Sequence, residues 1–230
     1  MRDSKDFIVA NIFLNTGVKS EMSNFENILR SIPGYILDPA GTYEKKRNTN
    51  SYRSIVILLI LDAIVALLSG LSFIIYEIFS GYSTGPQLLL PTMVLHILVN
   101  FIIIILVIVA IIHFASRYEN RDVKFVDSFK ISIVSYTYYI VVIAIFNLIK
   151  VLYTAGTGYN PGSQIYFADY LALILALLVF IRVSAEGIKT LHGLSGLKSY
   201  VIAIISIAAA KIIVYLASSP IGDFCLFVGL

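Results

Sequence analysis

Four residues with polar or ionisable side chains interrupt runs that are otherwise apolar: Asp62, His96, Asn100 and Lys211. An ionisable group in such a run is costly in hydrocarbon, and it ordinarily faces another polar group or water rather than lipid. Counted at about 1.5 Å per residue, Asp62 lies roughly 12 Å and Lys211 roughly 18 Å from the end that carries basic flanks. His96 and Asn100 descend from the opposite face. In a core about 30 Å thick they fall at roughly 18 and 12 Å from that same basic end. The four are therefore expected to form one intramembrane polar cluster on two adjacent levels. Two chemistries fit it. An Asp62–Lys211 ion pair with hydrogen-bonded neighbours would fix helix packing, whereas a carboxylate facing a water-filled path would pass protons or ions. Pairing is the expectation, because a path ordinarily needs more polar residues along its length. Ser206, Ala209 and Ala210 would let the last apolar run approach a neighbour closely.

Other reactive patterns lead nowhere. The tract "HGLSG" holds Gly193, Ser195 and Gly196 in the G-x-S-G arrangement that rhomboid-type intramembrane proteases place at their nucleophile. Such a serine needs a histidine base on a facing helix, and no histidine follows Ser195 in the chain. "GTGYNPG" (156–162) lacks both the preceding strand and the spacing of a phosphate-binding glycine loop. His96, His113 and His192 show no metal spacing. The single cysteine, Cys225, excludes an internal disulfide and a thiolate zinc cage. No catalytic residue, cofactor or metal is expected. The net charge of +3 gives no reason to invoke nucleic acid.

The elements that must hold the polar cluster are long apolar blocks. The chain is 58% hydrophobic and 13% charged, with a mean hydropathy of +0.88. Blocks of about 18 or more apolar residues read as transmembrane helices. Five are expected: about Ser54–Phe79, Leu88–Phe114, Ser128–Tyr153, Asp169–Ala185 and Ser199–Ser218. The fold class is thus all-α, a polytopic bundle of five transmembrane helices (54–218) between an N-terminal segment (1–53) and a short tail (219–230). Lys45, Lys46, Arg47 and Arg53 precede the first block; Arg117, Arg121, Lys124 and Lys130 surround the second connection, and Arg182, Lys189 and Lys198 the fourth. The first and third connections carry no charge. Beyond the first block, Lys150 and Lys211 alone fall outside this set. Basic loops stay in the cytoplasm, which puts the N-terminus there and the C-terminus on the far side.

The first fifty residues form a cytoplasmic segment. "FIVANIFL" has the length of a signal-peptide core, but Asp3 and Asp6 spoil its flank and no cleavage site follows. Ser23 and Glu26 make a capping box for a short helix with Phe25, Ile28, Leu29 and Ile32 on one face. That face suits a membrane interface or a partner protein. Pro33 and Gly34 end the helix, and Gly41 to Ser51 reads as a polar, basic linker.

In order, "ILRSIPGYIL", a basic linker, the charged connection "FASRYENRDVKFVDSFKISIVSYTYY" and the tract "GIKTLHGLSGLKSYVIA" resemble the Yip family of Rab-GTPase-interacting membrane proteins in a divergent prokaryotic form. The likeness covers about Asn27 to Ser218. The Asp-Leu-Tyr-Gly-Pro motif of eukaryotic members is absent, so no residue role carries over from it. The resemblance implies a non-enzymatic scaffold or adaptor in the lipid bilayer, working through cytoplasmic protein partners or by organising the membrane. The alternative is a small transporter or channel subunit using the Asp62, Lys211 and His96 level.

Overall fold

The computed structural model describes residues 33–45, 52–80, 86–157 and 163–218. Among these residues a helical turn at 33–37 precedes six helices: α1 (Pro39–Lys45), α2 (Tyr52–Ser80), α3 (Pro86–Glu119), α4 (Phe125–Thr157), α5 (Ser163–His192) and α6 (Gly196–Ser218). Among the described residues, four stretches are long and apolar enough to cross a membrane: Ile97–Glu119, Phe125–Tyr153, Ala168–His192 and Gly196–Leu216. In α2, the block expected to cross first, the described apolar stretch is Ile55–Leu71, just short of the length of about 18 residues that such a crossing needs. Phe25, Ile28, Leu29, Ile32 and the tail after Ser218 lie outside the described residues.

The helices outrun the apolar blocks that were expected of them. α3 continues past Phe114 to Glu119, and α5 past Ala185 to His192. Good helix formers in "FASRYE" and "AEGIKTLH" continue the hydrogen-bond ladder until a stop signal arrives. For α5 that signal is Gly193, whose φ of 69° is the left-handed turn glycine tolerates best, with its N–H donating to the Lys189 carbonyl at 3.1 Å. Lys189 stands in the last turn, where positive charge suits the helix dipole. The Ser195 carbonyl then accepts from the Ser199 N–H and hydroxyl at 3.0 and 2.9 Å. "HGLSG" is a tight helix-to-helix turn.

α4 is the central helix. Residues 131–140 are buried without interruption, the mark of a helix enclosed on all sides. α4 packs on α5, α2 and α3, while α6 packs on α3 and α5. α2 and α6 therefore occupy opposite flanks. α2 and α4 run parallel, as the contacts Asp62 to Thr137 and Ser69 to Asn147 show.

One expectation is corrected here. Residues 41–45 are not linker but part of α1, which packs on α5. Asp38 starts it: its carboxylate accepts from the Gly41 N–H at 3.0 Å, and Pro39 occupies the first helical position.

Candidate functional site

Among the described residues, three groups of polar contacts join α4 to its neighbours. In the first, Thr137 Oγ lies 3.0 Å from Asp62 Oδ2 and 2.9 Å from the Ile133 carbonyl oxygen. Asp62 is 1% exposed. The hydroxyl carries one proton and can give it to one of these acceptors at a time. The Ile133 carbonyl stands one helical turn back, where it also receives the Thr137 backbone N–H, so the hydroxyl can turn to the carboxylate without orphaning it. Deeper on the same two helices, Asn147 Nδ2 donates to Ser69 Oγ at 2.9 Å. Sequence reasoning missed this second tie. Its signal was the lone amide inside the third block.

The second group contains Lys211. Its ammonium lies 4.7 Å from the centroid of the Tyr139 ring, within the range of a cation–π contact. Tyr139 stacks on Tyr136, centroids 5.5 Å apart and planes 10° apart, and Tyr136 lies 5.9 Å from Phe101. Asn100, next to Phe101, is buried at this level. The side chain of His96 lies outside the described residues.

The expected Asp62–Lys211 ion pair is not formed. Asp62 is on α2 and Lys211 on α6, and these helices do not pack on each other among the described residues. α4 stands between them and offers a hydroxyl to one and a π-face to the other. Depth placed the two residues on neighbouring levels, but depth says nothing about which helices adjoin.

The third group ties the basic ends of the helices together. Ser128 Oγ of α4 lies 3.2 Å from His113 Nδ1 of α3 and 3.4 Å from His192 Nε2 of α5. All three residues are buried. One hydroxyl between two imidazoles can accept from either ring and has one proton to give, to a ring nitrogen or to the Lys124 carbonyl at 3.5 Å, and it joins three helix ends. Asn120 completes the joint: its amide donates to the His192 carbonyl at 2.8 Å, and its side-chain oxygen accepts from the Asp122 N–H at 3.2 Å. Among the described residues no three His, Cys, Asp or Glu side chains gather as metal ligands would. Lys198 pairs with Glu119 at this end, and Lys150 pairs with Asp169 near the other.

α1 supplies a further attachment. Tyr43 is fully buried against α5, where a Cβ on Gly187 would stand 2.8 Å from the Tyr43 ring and 3.0 Å from Ile131. Only a residue without a side chain admits the ring there. Tyr35 packs edge-on to Tyr43 at 4.8 Å and lies 6.5 Å from Tyr138 of α4. Burial pushes the Tyr35 phenol up to about 12, and that of Tyr43 well above its usual value.

No curated protein and no solved structure matches the chain. The family model of the Yip1 domain matches residues 34–219, which takes in the tyrosine strap, the Asp62–Thr137 contact, the histidine–serine joint and the Lys211 level. With most of its length matched and its apolar helices suited to a bilayer, the chain is an integral, multi-pass membrane protein that belongs to the Yip1 domain family.

Proposed function

We propose that the chain is a non-enzymatic membrane scaffold or adaptor that acts through protein partners or by organising the bilayer. It spans the membrane five times, with its N-terminus and basic helix ends in the cytoplasm and its C-terminus on the far side. The tyrosine strap supports this reading. Tyr35 and Tyr43 fasten the chain to α4 and α5 immediately before the first apolar helix, so residues 1–32 leave from a fixed point at the basic end. Phe25, Ile28, Leu29 and Ile32 are then the face offered to a partner. Crosslinking in the native membrane followed by purification of the full chain tests this. A partner recovered in near-equal amount, and lost from a Phe25→Asp, Ile28→Asp variant of unchanged membrane level, is the expected result. Recovery of the chain alone overturns the partner role.

The second reading is a small transporter or channel subunit. The observation in its favour is that buried Asp62 is held by a hydroxyl rather than by a cation. It requires proton or ion flux through reconstituted vesicles that Asp62→Asn abolishes while thermal stability holds. Absence of flux from the unaltered chain sinks it.

A further inference from the structure

Residues 33–45 do more than connect. Tyr35 and Tyr43 are sunk against α4 and α5, yet Ile36 and Leu37 between them are 41% and 78% exposed. The charges on the helices tell what surrounds that exposed pair. Lys130 and Lys150 bracket a length of α4 of about 30 Å at about 1.5 Å per residue, the thickness of a bilayer's hydrocarbon core. Asp169 and Lys189 bracket about the same length of α5. The two brackets coincide in space, because Lys150 pairs with Asp169 at one end and Gly187 abuts Ile131 at the other.

Within this slab Tyr138 has its Cα about 12 Å below the basic boundary. Its side chain leans back toward the N-terminus of α4, which is the basic end. The Tyr43 ring abuts Gly187, about 3 Å inside the boundary at Lys189. The Tyr35 ring lies 4.8 Å from it and 6.5 Å from that of Tyr138, so it stands between those levels and within about 8 Å of the boundary, where interfacial helices lie. Ile36 and Leu37 adjoin Tyr35 and point away from the bundle at that depth. Acyl chains are what an exposed isoleucine–leucine pair meets there. The segment is also one-sided: among the described residues α1 is the one helix added to the five long ones, and it sits on α5 at the basic end.

We infer that residues 33–45 are a lipid-inserting wedge whose partner is the acyl region of the leaflet at the basic end, and that the chain prefers membrane bent convex toward that leaflet. Widening the protein in one leaflet alone lowers the cost of placing it where that leaflet is stretched. The inference rests on the membrane-organising side of the proposed function and gives it a mechanism. It requires no protein partner, so recovery of a partner and failure of the wedge are separable results.

The chain contains no tryptophan, so Leu37→Trp places one emitter at the wedge of the full-length protein. In vesicles of phosphatidylcholine brominated at successive acyl carbons, its emission is expected to be blue-shifted and quenched most by bromines near the top of the chain. Unquenched emission overturns the wedge, whether water-like, which places the residue in solvent, or blue-shifted, which places it under protein. A second arm reads the consequence. The full chain, reconstituted with its basic end outward in giant vesicles, is expected to be enriched several-fold on tubes pulled from them. The Ile36→Asp, Leu37→Asp variant, altered only at exposed positions, is expected to fall to parity while keeping its melting temperature. Equal density of the unaltered chain on tube and vesicle overturns the curvature preference.

Discussion

Thr137 serves a carboxylate on another helix and a carbonyl on its own, and that double reach makes it the residue on which the Asp62 level depends. Removing the hydroxyl leaves a buried carboxyl without its described partner, and such a loss costs more than the bond itself is worth. Thr137→Val and Asp62→Asn are each expected to lower thermal stability in detergent. Their double-mutant cycle is expected to show a coupling of about 0.6 kcal/mol, with about 1.7 as the ceiling for hydrogen bonds between membrane helices. Lys211→Met and Tyr139→Leu are expected to couple by about 0.5–2 kcal/mol, the range of a cation–π contact. Asp62→Asn and Lys211→Met should instead couple more weakly than either of these pairs, because α4 stands between them. A large Asp62–Lys211 coupling would restore the ion pair that the geometry denies. At this scale the sequence was legible in one dimension. The burial of Asp62 and the placement of Lys211 near it in depth could be counted along the chain, but the azimuth of each helix, and so Thr137 and Tyr139 as partners, could not. The histidine–serine joint was hidden for the same reason, since His113, Ser128 and His192 come from three helices and share no local spacing.

Helices read from apolar blocks have the right order and approximate centres, and their ends are wrong in one direction. Each of α3, α4 and α5 runs beyond its block, because membrane hydropathy and helix propensity have different stopping rules. Lipid ends where charge begins, whereas a helix ends where a residue such as Gly193 lets it turn. Gly193→Ala forces a side chain into the left-handed region and is expected to cost about 1 kcal/mol, measured as a drop in melting temperature with the fold retained. Residues 41–45 of α1 read as linker because "GTYEK" is mostly polar, although the Asp38–Pro39 start signal stands just before them in the sequence. What seats α1 is a close approach to Gly187. Gly187→Ala puts a methyl 2.8–2.9 Å from the Tyr43 ring and 3.0 Å from Ile131, an overpacking expected to cost about 1–3 kcal/mol. Limited proteolysis should then cut within residues 33–45 of this variant faster than in the parent. Equal cutting rates would show that the strap does not depend on that contact.

The whole molecule is a bundle in which one enclosed helix, α4, meets α2, α3 and α5, and its topology has a direct check. After Cys225→Ser, a membrane-impermeant thiol reagent added outside cells is expected to label Thr157→Cys and to miss Thr49→Cys. The reverse pattern would invert the assignment of both ends. Charge distribution supplied that expectation, and it is the most global property legible in the chain. The same charges have a further consequence when considered as a ruler. Lys150 and Asp169, joined to each other, mark one end of the α4–α5 pair, and Lys130 and Lys189 mark the other about 30 Å away. The Lys150 side chain is 10% exposed within its pair, so it has little freedom to stretch toward a receding headgroup. A bilayer several ångströms thicker must thin around that end, tilt the pair of helices or drag the ions into hydrocarbon, each at a fraction of a kcal/mol per ångström. In a cell whose membranes differ in thickness, that penalty alone biases where the protein accumulates, with no sorting receptor required.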